Sequence, residues 1–147
     1  MGNPYGCNLS VPLPALYAPS GDVACPSGTE TTVITTGALS ATTAGLYYPY
    51  ISGVLTVYLG ATAPSALVIA FKIGAGAHVA SFVVDPGQLV NSAKVVLPFV
   101  LVGANSGTAY GGAGSTINIT LKGTGQDTTC KQVGSVAFVA LQRGPDA

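Results

Sequence analysis

The chain has 147 residues, of which 48% are hydrophobic and only 7% charged, with five basic and five acidic side chains and no formal net charge. That length corresponds to one domain, and the charge is far below the roughly 25% of ordinary soluble domains. Disorder is excluded for most of the chain, because it requires low hydrophobicity and high charge. Direct nucleic-acid binding through a basic arm is excluded too: no Lys or Arg precedes Lys72, and phosphate neutralisation needs cations.

Residues 1–29 read as an extended arm. Pro4, Pro12, Pro14, Pro19 and Pro26 fix φ and remove backbone donors. The segment also carries Leu9, Val11, Leu13, Leu16 and Tyr17, which a solvated tail would not need. These residues are expected to lie on the protein's own body or on a neighbour. The segment has no basic stretch followed by a continuous apolar run, so no secretory signal is expected in it.

Residues 30–147 read as the folded domain. β-Branched runs alternate with turn clusters: TTVITT (31–36), YISGVLTVYLG (50–60), SALVIAFKI (65–73), HVASFVVD (78–85), AKVVLPFVLVG (93–103), STINITLKG (115–123) and GSVAFVALQ (134–142). Twenty glycines and ten prolines argue against long helices. Short strands at this spacing predict an all-β sandwich of the Greek-key, jelly-roll kind, with one more short strand from the arm or from LSATTAG. Pro98 fits an edge strand, since it cannot donate to a ladder. The apolar stretch 47–73 is interrupted by Pro64, Lys72 and several glycines. It therefore falls short of the roughly 20 apolar residues that a membrane helix needs.

Alternation assigns each strand two sides. Core sides are expected at Ile51, Gly53, Leu55, Val57 and Leu59; at Leu67, Ile69, Phe71 and Ile73; at Val95, Leu97, Phe99 and Leu101; and at Val136, Phe138 and Ala140. The opposite sides are Tyr, Thr, Ala and Val rather than Lys, Glu and Arg. Depletion of charge with aromatic enrichment marks interface cores, and large apolar patches mean association. Another copy of the chain is thus expected to cover Tyr50, Val54, Thr56, Tyr58, Val100 and Val139. A small membrane β-barrel would instead have a polar lumen, so no membrane partner is expected.

The 31–142 body, ending in STINITLKGTGQDTTCKQVGSVAFVALQ, resembles trimeric jelly-roll proteins: tumour-necrosis-factor and C1q-like modules, and related virion proteins of phages and other viruses. Their last strand often follows a loose pattern matched here by Gly134-Ser135-Val136-Ala137-Phe138-Val139-Ala140-Leu141. The resemblance covers about three quarters of the chain, on pattern rather than on a diagnostic motif. It implies a homotrimer packed around an axis, with Tyr50 and Tyr58 as axial aromatics.

Catalytic chemistry needs titratable groups held together, and the inventory is short. The single histidine, His78, lies seven residues from Asp85 on one expected strand, which puts the two on opposite faces. There is no nucleophile elbow. GAGAHV (74–79) and GGAGST (111–116) lack phosphate-loop spacing. One His and no paired Cys disfavour zinc, and Asp127 alone is a poor calcium site. Cys7, Cys25 and Cys130 leave at least one free thiol. No enzyme activity, cofactor or metal is expected.

The expected function is therefore structural. The chain resembles a capsid decoration or cement protein of a tailed bacteriophage, a trimer bound to the capsid shell protein on the outer surface of the virion. A single jelly-roll capsid protein is the nearest variant. A receptor- or carbohydrate-binding head of a tail fibre is the alternative; it would expose Tyr47, Tyr48, Tyr110 and the loop 103–114.

Overall fold

A computed structural model describes residues 15–36, 47–76, 78–102 and 116–143. Nine strands are formed: β1 (Ala15–Tyr17), β2 (Val23–Cys25), β3 (Thr31–Thr35), β4 (Tyr47–Leu59), β5 (Ala66–Ile73), β6 (His78–Val83), β7 (Lys94–Val102), β8 (Ile117–Thr124) and β9 (Thr128–Arg143). A short 3₁₀ turn at Pro86–Gln88 is capped by the Asp85 carboxylate, which accepts from Gly87 N.

The strands make two antiparallel sheets. One has the order β1-β9-β4-β7, with β2 also on β9; the other runs β3-β8-β5-β6. Strand pairing is nested: β2 with β9, β3 with β8, β4 with β7 and β5 with β6. That is one long hairpin. Pairing of β4 with β9 and of β5 with β8 rolls it into two layers, which is the jelly-roll arrangement. The hairpin tip between β5 and β6 turns at Gly74, whose φ of +60° suits glycine.

The core lies between the layers. Leu55, Val57, Leu97 and Ile51 from the first sheet meet Leu67, Ile69, Phe71, Ile119 and Leu121 from the second. β7 shows why the sequence gives this fold: its nine residues alternate exposed and buried without a break, Val95, Leu97, Phe99 and Leu101 pointing inward. β7 is an edge strand and carries Pro98 opposite Val54. In the centre of the first sheet, Phe99, Gly53 and Ala137 share one cross-strand row. The ring of Phe99 needs small neighbours there: a Cβ on Gly53 would come within 3.1 Å of Phe99 Cζ and 2.2 Å of the Val136 carbonyl oxygen.

This row corrects the expected faces of 134–142. Ser135, Ala137 and Val139 are buried, whereas Val136 is exposed and Phe138 and Ala140 are half-buried. Bulk alone pointed to the wrong side. The small residues go inward because Phe99 occupies the space, and a bulge shifts the parity of β9. Thr56 pairs with Lys131, yet Val54 pairs with Val136, so residues 132–135 are looped out of the ladder.

The arm is also partly redrawn. Its residues 15–17 and 23–25 pair with β9 as two short edge strands. Ser27 N donates to Asp127 Oδ1 at 2.7 Å, tying the end of this segment to the β8–β9 turn. From residue 15 onward the segment lies on its own body. Leu9, Val11, Leu13 and Cys7 lie outside the described residues.

Candidate oligomer interface

Directly paired residues on adjacent strands share a face, so the register maps the outside of the first sheet. Leu16 pairs with Phe138, Phe138 with Ser52, and Ser52 with Val100. Tyr50 stands between Val102 and Ala140, and Val54 between Pro98 and Val136. Tyr58 lies between Lys94 and Thr129. The result is a surface four strands wide made almost wholly of apolar and hydroxyl side chains.

Exposure on this face is high. Leu16 is 70% exposed, Val100 58%, Val96 53%, Val102 44% and Tyr58 43%. Transfer of apolar area from water is worth roughly 25 cal/mol per Å², so a contiguous face of this kind favours a covering partner. Its charges gather at one end. Lys131 Nζ sits 4.7 Å from the Tyr58 ring centroid and donates to Asp22 Oδ2 at 3.1 Å. Gln132 N donates to Asp22 Oδ1 at 2.9 Å. That backbone donor, helped by Lys131, holds the Asp22 carboxyl below the usual carboxylate range.

Of the expected interface residues, Tyr50, Val54, Tyr58 and Val100 come together on this one face, the first two half-buried and the others exposed. Two do not fit. Val139 is in the core, on the inner side of β9. Thr56 has the expected orientation, opposite exposed Val96, but is buried because the β9 bulge folds over it. A Cβ on Gly134 would approach Thr56 Oγ1 to 2.6 Å, and Thr56 N donates to Ser135 Oγ at 2.9 Å. Of the arm residues, Leu16 is exposed on the same face, and Tyr17 is half-buried against the core.

The bulge itself, with Val133 at 85% exposure, was missed by sequence reasoning. Gly134 at the head of an apolar run was the available signal, since glycine inside a strand pattern marks a bulge; here its φ is +87°.

The outside of the second sheet is different. Glu30 is ion-paired with both Lys72 and His78. Burial alone would raise the Glu30 carboxyl, but these two partners outweigh it and hold the carboxyl below its ordinary range. Thr35 Oγ1 donates to Asn118 Oδ1 at 2.6 Å, and Asn118 Nδ2 donates to Gly74 O at 2.8 Å. Lys122 is exposed beside Val68. Among the described residues, no group of three or more His, Cys, Asp or Glu side chains is placed to hold a metal. Asp127 accepts the Ser27 backbone donor. Cys25 and Cys130 are buried free thiols whose pKa values are pushed up by burial, that of Cys130 to about 11.

No family model matches the chain, and neither does any curated protein. Solved structures are similar to it at low identity. A structure of the infectious bursal disease virus Gt strain is 13% identical with a TM-score of 0.48, over 90% of this chain and 38% of that one. The Eiger tumour necrosis factor of S. frugiperda is 14% identical with a TM-score of 0.43, over 91% of this chain and 93% of that one. The infectious bursal disease virus VP2 subviral particle is 16% identical with a TM-score of 0.43, over 92% of this chain and 38% of that one. The chain therefore spans well under half the length of the viral chains it matches.

Proposed function

We propose that the protein is a structural virion protein that works as a homotrimer, decorating the outside of a capsid shell. The apolar outer face of the β1-β9-β4-β7 sheet is the observation that carries this reading. A face of that breadth, whose charges among the described side chains gather at one end, is suited to burial against another copy. The sequence resemblance to trimeric jelly-roll virion proteins supports both the trimer and the setting.

The function follows from mass action. A trimer that binds only assembled shell stabilises the shell by favouring the state it binds. Three attachment segments on one trimer raise avidity without new contacts. Residues 1–14, with Leu9, Val11 and Leu13, are the proposed attachment segment. Residues 15–25 belong to the sheet, so the informative truncation is 1–14 rather than 1–29. The truncated trimer should lose binding to preassembled shells, measured by co-sedimentation, while keeping its oligomeric state. Undiminished shell binding after truncation contradicts the clamp.

A further inference from the structure

Two of the three cysteines are brought together by the fold. Cys25 lies on β2 and Cys130 on β9, about 105 residues apart in sequence. Val23 pairs with Cys130 and Cys25 with Thr128, so the two cysteines are diagonal neighbours on adjacent strands. Both side chains point to the core, and both are fully buried. Cys25 Sγ leans towards the level of Cys130: it donates to Val23 O at 3.6 Å, the carbonyl of the residue directly opposite Cys130. Burial is the main cause of the raised pKa values of both thiols. Against it, the Cys130 N–H acts on the Cys25 sulfur, and charge on Cys25 adds to the rise at Cys130. Both effects require the two groups to be close.

The register of the pair is held from both ends. Before Cys25, Asp22 accepts from Gln132 N at 2.9 Å and from Lys131 Nζ at 3.1 Å. After it, Ser27 N donates to Asp127 Oδ1 at 2.7 Å. Among the described strands, β2 pairs with β9 alone. A disulfide needs Cα atoms within about 7 Å, and diagonal neighbours stand about 7–8 Å apart. Closure therefore asks β2 to shift by about an ångström, a movement open to a three-residue edge strand.

We infer that Cys25 and Cys130 are a dithiol site that closes to a disulfide and locks the root of the N-terminal segment to β9. This does not depend on the shell attachment proposed above. The oxidant is a small disulfide of the glutathione class. One cysteine thiolate attacks it and releases one small thiol; the other cysteine displaces the second. Two protein S–H bonds and the external S–S bond are lost, and one protein S–S bond and two small-molecule S–H bonds are formed. The protein gives up two electrons, and its two protons end on the released thiols. Burial keeps both thiols protonated, with the Cys130 pKa at about 11, and shields them from reagent, so the exchange proceeds while β2 is open. Once closed, the bond spans a long loop and restricts the unfolded chain.

The test uses the full chain with Cys7→Ser, exposed under native conditions to oxidised glutathione and then digested for mass spectrometry. The expected product is a chain lighter by two hydrogens that yields linked peptides containing Cys25 and Cys130. Its unfolding midpoint should rise by about 5 °C or more, return on reduction, and stay unchanged in Cys25→Ser under the same treatment. Two thiols that stay reduced in the native chain but join in urea would overturn the inference, because the fold would then be holding them apart. Glutathione left attached at one cysteine, or disulfides mainly between chains, would overturn it as well. A bond that forms but lowers the midpoint would refute the lock.

Discussion

The two outer surfaces of this sandwich differ as much as its two inner ones agree. Inside, both sheets present Leu, Ile, Val and Phe to a common core. Outside, the β3-β8-β5-β6 sheet carries an ion-paired Glu30, Lys72 and His78, an exposed Lys122 and hydrogen-bonded Thr35 and Asn118. The outside of the β1-β9-β4-β7 sheet carries Leu16, Tyr50, Val54, Val100, Val102 and Val136 and, among the described side chains, has its charges, Lys94, Lys131 and Asp22, at one end. The second outer face also exposes an apolar side chain, Val83 at 63%, so the two faces differ in their charged and hydrogen-bonded groups rather than in apolar exposure as such. The lesson is that low overall charge does not describe this surface; the distribution between sheets does.

The largest effect is expected from within the first sheet. Gly53→Ala places a Cβ against the Val136 carbonyl and Phe99, in the row that keeps β9 aligned with β4. Overpacking of this kind should cost roughly 3 kcal/mol or more, read as a lower denaturation midpoint, and should disturb the apolar face with it. An alanine variant as stable as the parent would mean the row is looser than described.

A matched pair of surface substitutions sharpens the contrast. Val100→Lys on the apolar face should weaken self-association by about 2 kcal/mol, in the range of an interface hot spot. Val83→Lys, on exposed β6 of the other sheet, should leave association unchanged. Sedimentation of both at several concentrations decides; equal effects would erase the distinction between the sheets.

Ser135→Ala tests the bulge. It removes the acceptor for Thr56 N, and an unsatisfied buried donor costs about 1–3 kcal/mol. Thermal unfolding should register that loss.

The smallest effects concern acid. Asp22 and Glu30 both have carboxyls held below the ordinary value in the folded state. A lowered folded pKa gives stability that is present above the unfolded value, near 4, and disappears as pH falls through the folded one. Stability should therefore drop from mildly to strongly acid pH, less so in Asp22→Asn and Glu30→Gln. An unchanged acid profile in both variants would contradict these pairings.

Much of the fold was legible in the sequence because alternation reports burial where the ladder is regular. β7 is the clearest example, its expected inner side Val95, Leu97, Phe99 and Leu101 being the observed one. β9 was misread because its regular stretch beyond the bulge offers two apolar sides, and the bulkier one, with Val136 and Phe138, faces outward. The four residues 132–135 reset its parity, and Ala137 and Val139 turned inward. Residues 15–17 and 23–25 of the expected arm are extended, but their pairing with β9 was not legible, since edge strands of three residues leave too short a pattern to read. The apolar face was visible through Tyr50, Val54, Tyr58 and Val100. The burial of Thr56 was not, because it depends on a glycine 78 positions away in sequence.

We propose that other copies of this chain cover the outside of the β1-β9-β4-β7 sheet. Multi-angle light scattering of the full chain at micromolar concentration tests it most directly. A single species at three times the chain mass, converted towards monomer by Val100→Lys, is the predicted result. A stable monomer at that concentration would contradict it.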